Sequence, residues 1–509
     1  MKKKKMLPLV LAFMMLLVSC GKGSSSQNES GTSDGSSVTD ESSAPEQKVD
    51  MLDIKPEQVI NEEPATFESL GADKEAVKAF EEEKAKKHTI PSIHLITAPD
   101  DEVVSIYEYT PCVVDTFNCD ESLKLDGVSA GVKVRGNSSA YYGDVAQIRR
   151  NQVPYRIKFD KKTNMLGLHD GAEAKSWVLL KADWDLIRND IAFRFGRALI
   201  DGHTFCTDSQ IVYVYLNNEF KGIYTLCEQC QVGRNRVNVT QPEEGYTGND
   251  LGYYLELDNY ATGEEDNIYI TLDYGGYEVT DIEGETRKFV SAEYSVKNDV
   301  YTKQQVEFIE KYMKGVFEIV YRACEKGEYY TFDENYELVK ADYDNAKDTV
   351  EAVMDIQSVV DMYLLYEIVH DYDCGEGSFF MCVDFSEGSE VKKLTFTSPW
   401  DFNWAYNDST SRYWAGAFCE KSFAKSKGDR TNPWFVILIK QDWFKELASG
   451  KWTALKDAGG VDKCISDEKA YLEEYKKDLN GEGGVDCAYD LFKWIEARLK
   501  WMDKEFYKG

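Results

Sequence analysis

Histidine is scarce in this 509-residue chain: there are five, all isolated. That leaves no histidine ligand cluster, and it makes Ser-His-Asp hydrolysis a weak candidate. Basic residues are also short, with 59 Lys and Arg against 90 Asp and Glu and a formal net charge of −31. This balance argues against nucleic acid and anionic lipid surfaces as partners, because their phosphates would be repelled. No apolar run is long enough to cross a membrane; the longest, at residues 6–18, is too short and wrongly flanked. Cys227 and Cys230 form a CxxC, but no second pair or nearby His pair completes a zinc site, so buried thiols or a disulfide are the better reading. No internal repeat is present.

The first residues fix the expected compartment. MKKKK is a basic start, MLPLVLAFMMLLV an apolar core, and Leu17-Val18-Ser19-Cys20 followed by Gly21 resembles the bacterial lipobox. The resemblance implies a lipoprotein signal peptide at 1–20, with lipidated Cys20 anchoring the protein on the outer face of the cytoplasmic membrane. Residues 21–60 open on Ser, Gly, Asn, Thr and Glu, which cannot bury enough apolar surface to fold and read as a disordered tether. Twelve cysteines less Cys20 leave an odd eleven, so an exported location permits disulfides without requiring them.

The remainder is globular, with 43% hydrophobic and 13% aromatic residues, and is long enough for a two-lobed unit or two domains. Residues 61–90 are expected to carry a peripheral helix, rich in Glu, Lys and Ala. Short alternating strands follow: SIHLIT, EVVSIYEY, AGVKVRG, PYRIKFD, SWVLLKA, IVYVYLN, IYTLCEQ and GYYLELD, with one helix over about 185–199. After a polar excursion around 267–298 come helices over 304–326 and 355–370, strands SFFMCVD and KLTFTSP, and a helical tail over 433–507 broken at NGEGG. Sheet first and helices later predicts an α+β fold, with a sheet-rich lobe over 91–260 and a mainly helical lobe over 261–509.

Several segments carry the parts that phosphoryl transfer needs. In VKVRGNSSA, Gly136 allows close backbone approach, while Asn137, Ser138 and Ser139 supply donors; taken alone, a plain hairpin turn is the better reading. In PYRIKFD, alternation puts Lys158 on the face with Arg156 and Asp160, facing a cleft or solvent. Asp373 lies five positions before Ser378, the spacing of acid and metal ligand in a kinase catalytic loop, and Asp401 follows a strand in WDFNW.

With these segments the sequence resembles the CotH kinase family, atypical protein kinases named after a spore-coat protein. The resemblance runs through VRGNSS, PYRIKFDKKTNMLGL, WVLL with DLIRNDIAFRFGRAL, VYLNNEFKGIYTLCEQ, GYYLELD, EIVHDYDCGEGSFF and PWDFNWAYN. It implies a two-lobed atypical protein-kinase-like fold using ATP and Mg²⁺ or Mn²⁺ to phosphorylate Ser or Thr of exported proteins. It implies that Gly136, Asn137 and Ser138 contact phosphates, Lys158 holds them, and Glu228 and Gln229 meet adenine. Asp373 acts on the acceptor hydroxyl, and Asp401, Asn403 and Ser378 bind metal. Asp183 or Asp185 is the expected carboxylate partner of Lys158. Asn403 replaces a second family carboxylate, no arginine precedes Asp373, and Ser378 is a poorer ligand than asparagine. These departures keep a weak or inactive kinase-like surface or coat binding protein as the alternative. A glycosidase using two acids such as Asp373 and Asp401, about 5 to 10 Å apart, is more remote because it leaves Lys158 without a task.

Overall fold

Short apolar-rich strands build the first half. Strands β1 (Ser92–Thr97), β2 (Thr110–Phe117), β3 (Val128–Val134), β4 (Tyr155–Thr163), β5 (Ala174–Lys181), β6 (Ser209–Leu216) and β7 (Glu219–Glu228) close into a barrel in the order β1-β2-β3-β4-β5-β7-β6. All neighbours are antiparallel except β1 and β6, whose parallel pairing of Ser92 with Tyr213 closes the ring. Along β4, Tyr155, Ile157 and Phe159 point inward with Val132, Trp177 and Leu226, while Arg156, Lys158 and Asp160 point out. The outer faces of β5, β6 and β7 carry Val178, Leu180, Ile211, Tyr213, Ile223 and Cys227 into a second core shared with the helices.

The computed structural model describes residues 49–258, 260–263, 267–274, 276–406, 409–418, 431–480 and 484–509. The signal segment, Cys20 and the Ser-rich part of the tether lie outside the described residues, as do Asn407 and Asp408 and the centre of NGEGG. The residues from 49 onward form one unit. Within it residues 50–60, expected as tether, are docked, as is Asn61 at the start of the expected helical segment. Asp50 and Leu52 bond to the backbone of Lys303 and Tyr301, and the Gln58 side chain exchanges two hydrogen bonds with the Tyr109 backbone. Asn61 donates to Ala130 and to Asp160. Helix α1 is shorter than expected, Lys74–Ala85, started by the Asp73 side chain on the Glu75 and Ala76 amides.

One strand falls elsewhere than the alternation in EVVSIYEY indicated: β2 is TPCVVDTF, directly after it. Pro111 and the buried Asp115 disguise it, and the structure resolves both. The proline sits at the strand's second position, and Asp115 receives Lys78 of α1 at 2.7 Å.

Between the barrel strands lie α2 (Val145–Ile148), after β3, and α3 (Arg188–Ile200), after β5, and beyond β7 the chain enters a second sheet. β8 (Gly252–Leu257) is an expected strand, whereas β9 (Tyr269–Leu272), the hairpin of β10 (Glu278–Thr280) with β11 (Thr286–Lys288), and β12 (Ala292–Val296) occupy the stretch expected as a polar excursion. Helix α4 (Lys303–Tyr321), the hairpin β13 (Tyr330–Phe332) with β14 (Leu338–Lys340), α5 (Ala346–Val353) and α6 (Ile356–Val369) follow. Then come β15 (Phe379–Asp384) and β16 (Thr395–Thr397), giving a five-stranded sheet in the order β16-β15-β8-β12-β9. GYYLELD, expected with the first strands, therefore belongs to the second sheet, because its partner is SFFMCVD. The end is helical: α7 (Phe435–Leu438), α8 (Asp442–Asp457), α9 (Gly460–Glu474), α10 (Lys476–Asn480) and α11 (Val485–Phe506). The fold is α+β, and its sheet-rich half is a closed barrel.

A fully buried ion pair ties α11 to α6. Arg498 donates to the Glu367 carboxylate at 2.6 Å and to the carbonyls of Glu367 and Arg412, while Glu367 also accepts the Trp414 and Ala415 amides. Removing one partner strands the other charge in the core. Arg498→Met is expected to lower stability by about 3–5 kcal/mol, measured by urea unfolding.

Candidate active site

Two antiparallel strands bring the predicted acids together. Phe380 of β15 pairs with Thr397 of β16, so the loop before β15 and the turn after β16 emerge at the same end. The first carries Asp371, Asp373 and Ser378; the second carries Asp401 and Asn403. Both are bent by residues with left-handed backbone: His370 (φ 55°), Ser378 (54°), Ser398 (54°), Asp401 (58°) and Tyr406 (59°). Each non-glycine residue held there costs on the order of 1–3 kcal/mol, so the surroundings must over-determine these turns.

The over-determination comes largely from the start of α3. Asn189 accepts the Phe402 amide at 2.9 Å and donates to Oδ1 of Asn403 at 2.9 Å. Arg188 donates to the Asn403 carbonyl at 2.5 Å while Asp185 holds its guanidinium through two bonds of 2.9 and 2.8 Å. Tyr406 closes the turn by donating its hydroxyl to the Arg188 carbonyl and its amide to the Val369 carbonyl. Phe402, wholly buried, packs on Phe193 of α3 and Tyr366 of α6.

The result is a concentration of poorly solvated carboxyl groups. Burial, then Asp371, Asp401, Glu376 and Glu256, hold the half-buried Asp373 carboxyl well above the ordinary range. Burial, with Asp401 adding repulsion, also raises Asp371, although it accepts the Asp373 amide at 3.0 Å and feels Arg188. Asp401 is raised by burial, against the pull of Arg135 and the Asn403 amide. Asp183 is raised too, by burial first, with Asp185 and Asp401 repelling its carboxylate and Arg188 and Lys181 opposing.

The loop after β3 lies beside these acids. Arg135 stacks over Trp400 at 5.5 Å, and Tyr142, farther along the loop, and Asp373 both act on Tyr260. Gly136 takes φ 98°, and a Cβ there would meet Oγ of Ser139 at 2.3 Å, so the turn requires glycine. Asn137 and Ser138 are exposed at its tip.

The remaining expected residues are distributed as follows. Lys158 lies on the outer barrel face and pairs with Glu57 of the docked N-terminal segment. Its expected partners are otherwise engaged, which corrects that expectation: Asp185 is buried against Arg188, and Asp183 lies 3.7 Å from the same arginine. Glu228 is buried and spent on His169 at 2.7 Å and the Asp208 amide at 3.1 Å, and its own amide bonds to Thr207. The Gln229 carbonyl receives Arg236, and its side-chain Oε1 is buried without a hydrogen bond. Cys227 and Cys230 are free buried thiols. Among the described residues, no three His, Cys, Asp or Glu side chains form a ready metal-binding group. Arg135, Arg188 and Asn189 were missed by the sequence reading, although all three lie inside or beside quoted motifs, RGNSS and DLIRND.

The raised acids set a pH signature. A carboxyl raised on folding keeps its proton while the unfolded chain loses it, so its contribution to stability falls as pH climbs from the ordinary carboxylate range through the raised value. Asp373→Asn removes that penalty. It is expected to be more stable than the wild type by about 1–2 kcal/mol at pH 8, with the difference vanishing near pH 4, measured by chemical unfolding at both pH values. Asn189→Ala is expected to destabilise by about 1–3 kcal/mol through the unpaired Phe402 amide.

A comparison with curated proteins finds no match for this chain. The family described as CotH kinase protein matches residues 132–458, from within β3 to just past the end of α8, well over half of the sequence. The match takes in the Gly136 turn, Lys158, the α3 clamp, Asp373 and Asp401, and on that basis the chain belongs to the CotH kinase family.

Proposed function

We propose that this protein is an ATP- and Mg²⁺-dependent atypical kinase of two-lobed arrangement that phosphorylates Ser or Thr of exported or cell-surface proteins. The observation that carries the reading is the meeting of Asp373 and Asp401 at one end of the β15–β16 pair, with Arg135 and the Gly136 turn beside them. The barrel and the second sheet with its helices stand as the two lobes. The lipobox at Cys20 supports display from the outer face of the bacterial cytoplasmic membrane.

In this reading Asp373 accepts the proton of the acceptor hydroxyl, a task suited to a carboxylate whose proton affinity is raised by burial and neighbouring acids. The hydroxyl oxygen then bonds to the γ-phosphorus as the bond to the β-γ bridging oxygen breaks and ADP leaves. Asp371 fixes the base through the Asp373 amide, and the α3 clamp fixes Asp401. The crowded, poorly solvated carboxyls at this end suit a divalent cation held by Asp401. When bound, such an ion would neutralise phosphate charge. Asn403 fits a ligand role less well, because its Oδ1 already accepts from Asn189.

The commitment of Asn403 to Asn189 and of Lys158 to Glu57 favours a second reading, a kinase-like surface protein that binds nucleotide without turnover. Full-length protein incubated with labelled ATP and Mg²⁺ or Mn²⁺ is expected to label itself or a Ser/Thr-rich exported protein. Asp373→Ala and Asp401→Ala should each lower labelling at least 100-fold. ATP binding without labelling by the wild type would favour the second reading. Mg²⁺ or Mn²⁺ is expected to raise the melting temperature more at pH 8 than at pH 5, because protonation discharges the acids that attract it.

A further inference from the structure

The first described residues cross from one half of the molecule to the other. At one end they pair with the start of α4: the Lys303 amide donates to the Asp50 carbonyl at 2.9 Å, and the Leu52 amide donates to the Tyr301 carbonyl at 2.8 Å. At the other end they lie on the outer wall of the barrel. Gln58 holds both polar groups of the Tyr109 backbone, at 3.1 and 2.8 Å, and Asn61 donates to the Ala130 carbonyl at 3.2 Å and to Asp160 at 3.0 Å. Ile60 fits over Gly131, where a Cβ would meet its side chain at 2.5 Å. Between the two ends residues 53–59 are exposed. Pro56 suits such a crossing, because it needs no hydrogen-bond acceptor and biases Lys55 toward extended backbone. From Leu52 to Glu57 an extended chain reaches at most about 18 Å, so the crossing is short and direct.

The wall under this segment gathers cations. Lys133 pairs in register with Arg156, and Gly131, the glycine under Ile60, with Lys158. Burial, with Arg156, Arg135 and Lys158, pushes Lys133 down to about 8. Asp160, the acid that β4 itself brings to this side, is taken by Ser129 and Asn61. Glu57 supplies a carboxylate from outside and pairs with Lys158. The pair is lopsided: the Lys158 side chain is 15% exposed and that of Glu57 81%. The lysine is covered, and the acid lies on the solvent side of it. An ion pair with so exposed a partner holds weakly. The remaining hold is a few side-chain bonds and one apolar contact on the surface, so this segment opens at a lower free energy than the strands beneath it.

We propose that residues 50–61 are a releasable strap: docked, it ties the barrel to α4 and covers Lys158; lifted, it exposes Lys158 and lets the barrel move against the second half. Its two ends release together, because the short exposed crossing carries any displacement at Glu57 to Leu52. That lifting serves nucleotide entry rests on the kinase reading above. The strap itself requires only that Lys158 is gated by it and that both ends respond as one.

Acetylation of Lys158 in the full-length protein by N-hydroxysuccinimidyl acetate, read by peptide mass spectrometry alongside amide hydrogen exchange, tests the strap without any nucleotide. Replacing residues 50–61 by a Gly/Ser segment of equal length is expected to speed acetylation of Lys158 at least tenfold. The double variant Glu57→Gln with Gln58→Ala should speed it at least threefold. It should also speed exchange at the Lys303 amide, which neither altered side chain touches. Acetylation within twofold of wild type in the Gly/Ser variant overturns the strap; if that variant melts early, the same result in the double variant does so. Faster acetylation in the double variant with unchanged exchange at Lys303 shows two independent ends and also overturns it. ATP with Mg²⁺ is then titrated calorimetrically. Binding at least threefold tighter to the double variant than to the wild type supports a strap that gates nucleotide entry. Unchanged or absent ATP binding, with the acetylation and exchange results met, keeps the strap and removes its link to the kinase reading.

Discussion

The site depends on the grip of Arg188 and Asn189 on the turn after β16. These two residues begin α3, and the same helix carries Phe193, Phe195 and Leu199 into the core shared with the outer face of the barrel. One rigid element therefore sets the acid at 401 relative to the barrel wall that bears the cations. Without the two side-chain bonds and the arginine fork, a left-handed Asp401 among repelling acids has every reason to relax. Asp185 completes the device by neutralising Arg188, so that the clamp adds little net positive charge to the acidic end.

Electrostatics set two unlike groups of side chains near one another. The second sheet presents Asp371, Asp373 and Asp401, each destabilised by burial and by the others; the barrel presents Lys133, Arg135, Arg156 and Lys158, whose mutual repulsion is registered at Lys133. They meet where Arg135 stacks on Trp400 beside Asp401. Like charges crowded in this way lower the stability of the protein alone. The structural ion pairs elsewhere behave differently. Arg498 with Glu367, and Arg194 with Asp190 and Glu468, are closed sets tying helices together.

Much of this was legible in the sequence, for identifiable reasons. Alternation in PYRIKFD marks a barrel strand with a polar outer face, and the apolar runs in SWVLLKA and IVYVYLN mark strands buried on both faces, between the barrel interior and the helices. The helix over Arg188–Ile200 shows in its apolar spacing, and the loop acids stand out as carboxylates among aromatics. β2 was displaced because its buried Asp115 is satisfied by partners outside the strand, Lys78, 37 residues away, and the Gly127 amide. The partner of Lys158 was misassigned because Glu57 comes from a segment that reads as tether and becomes ordered only by docking on the barrel and on α4.

The sequence by itself determined the alternating strands, the helical second half, the acidic balance and the motif order that marks the family, since these follow from local periodicity and composition. Tertiary structure alone decided that the strands close into a barrel, because closure depends on β1 meeting β6 across more than a hundred residues. It also decided which acids share an end, which cations share a face, and which side chains are already spent on one another. Those outcomes depend on register and burial between distant segments, and the local pattern carries no record of either.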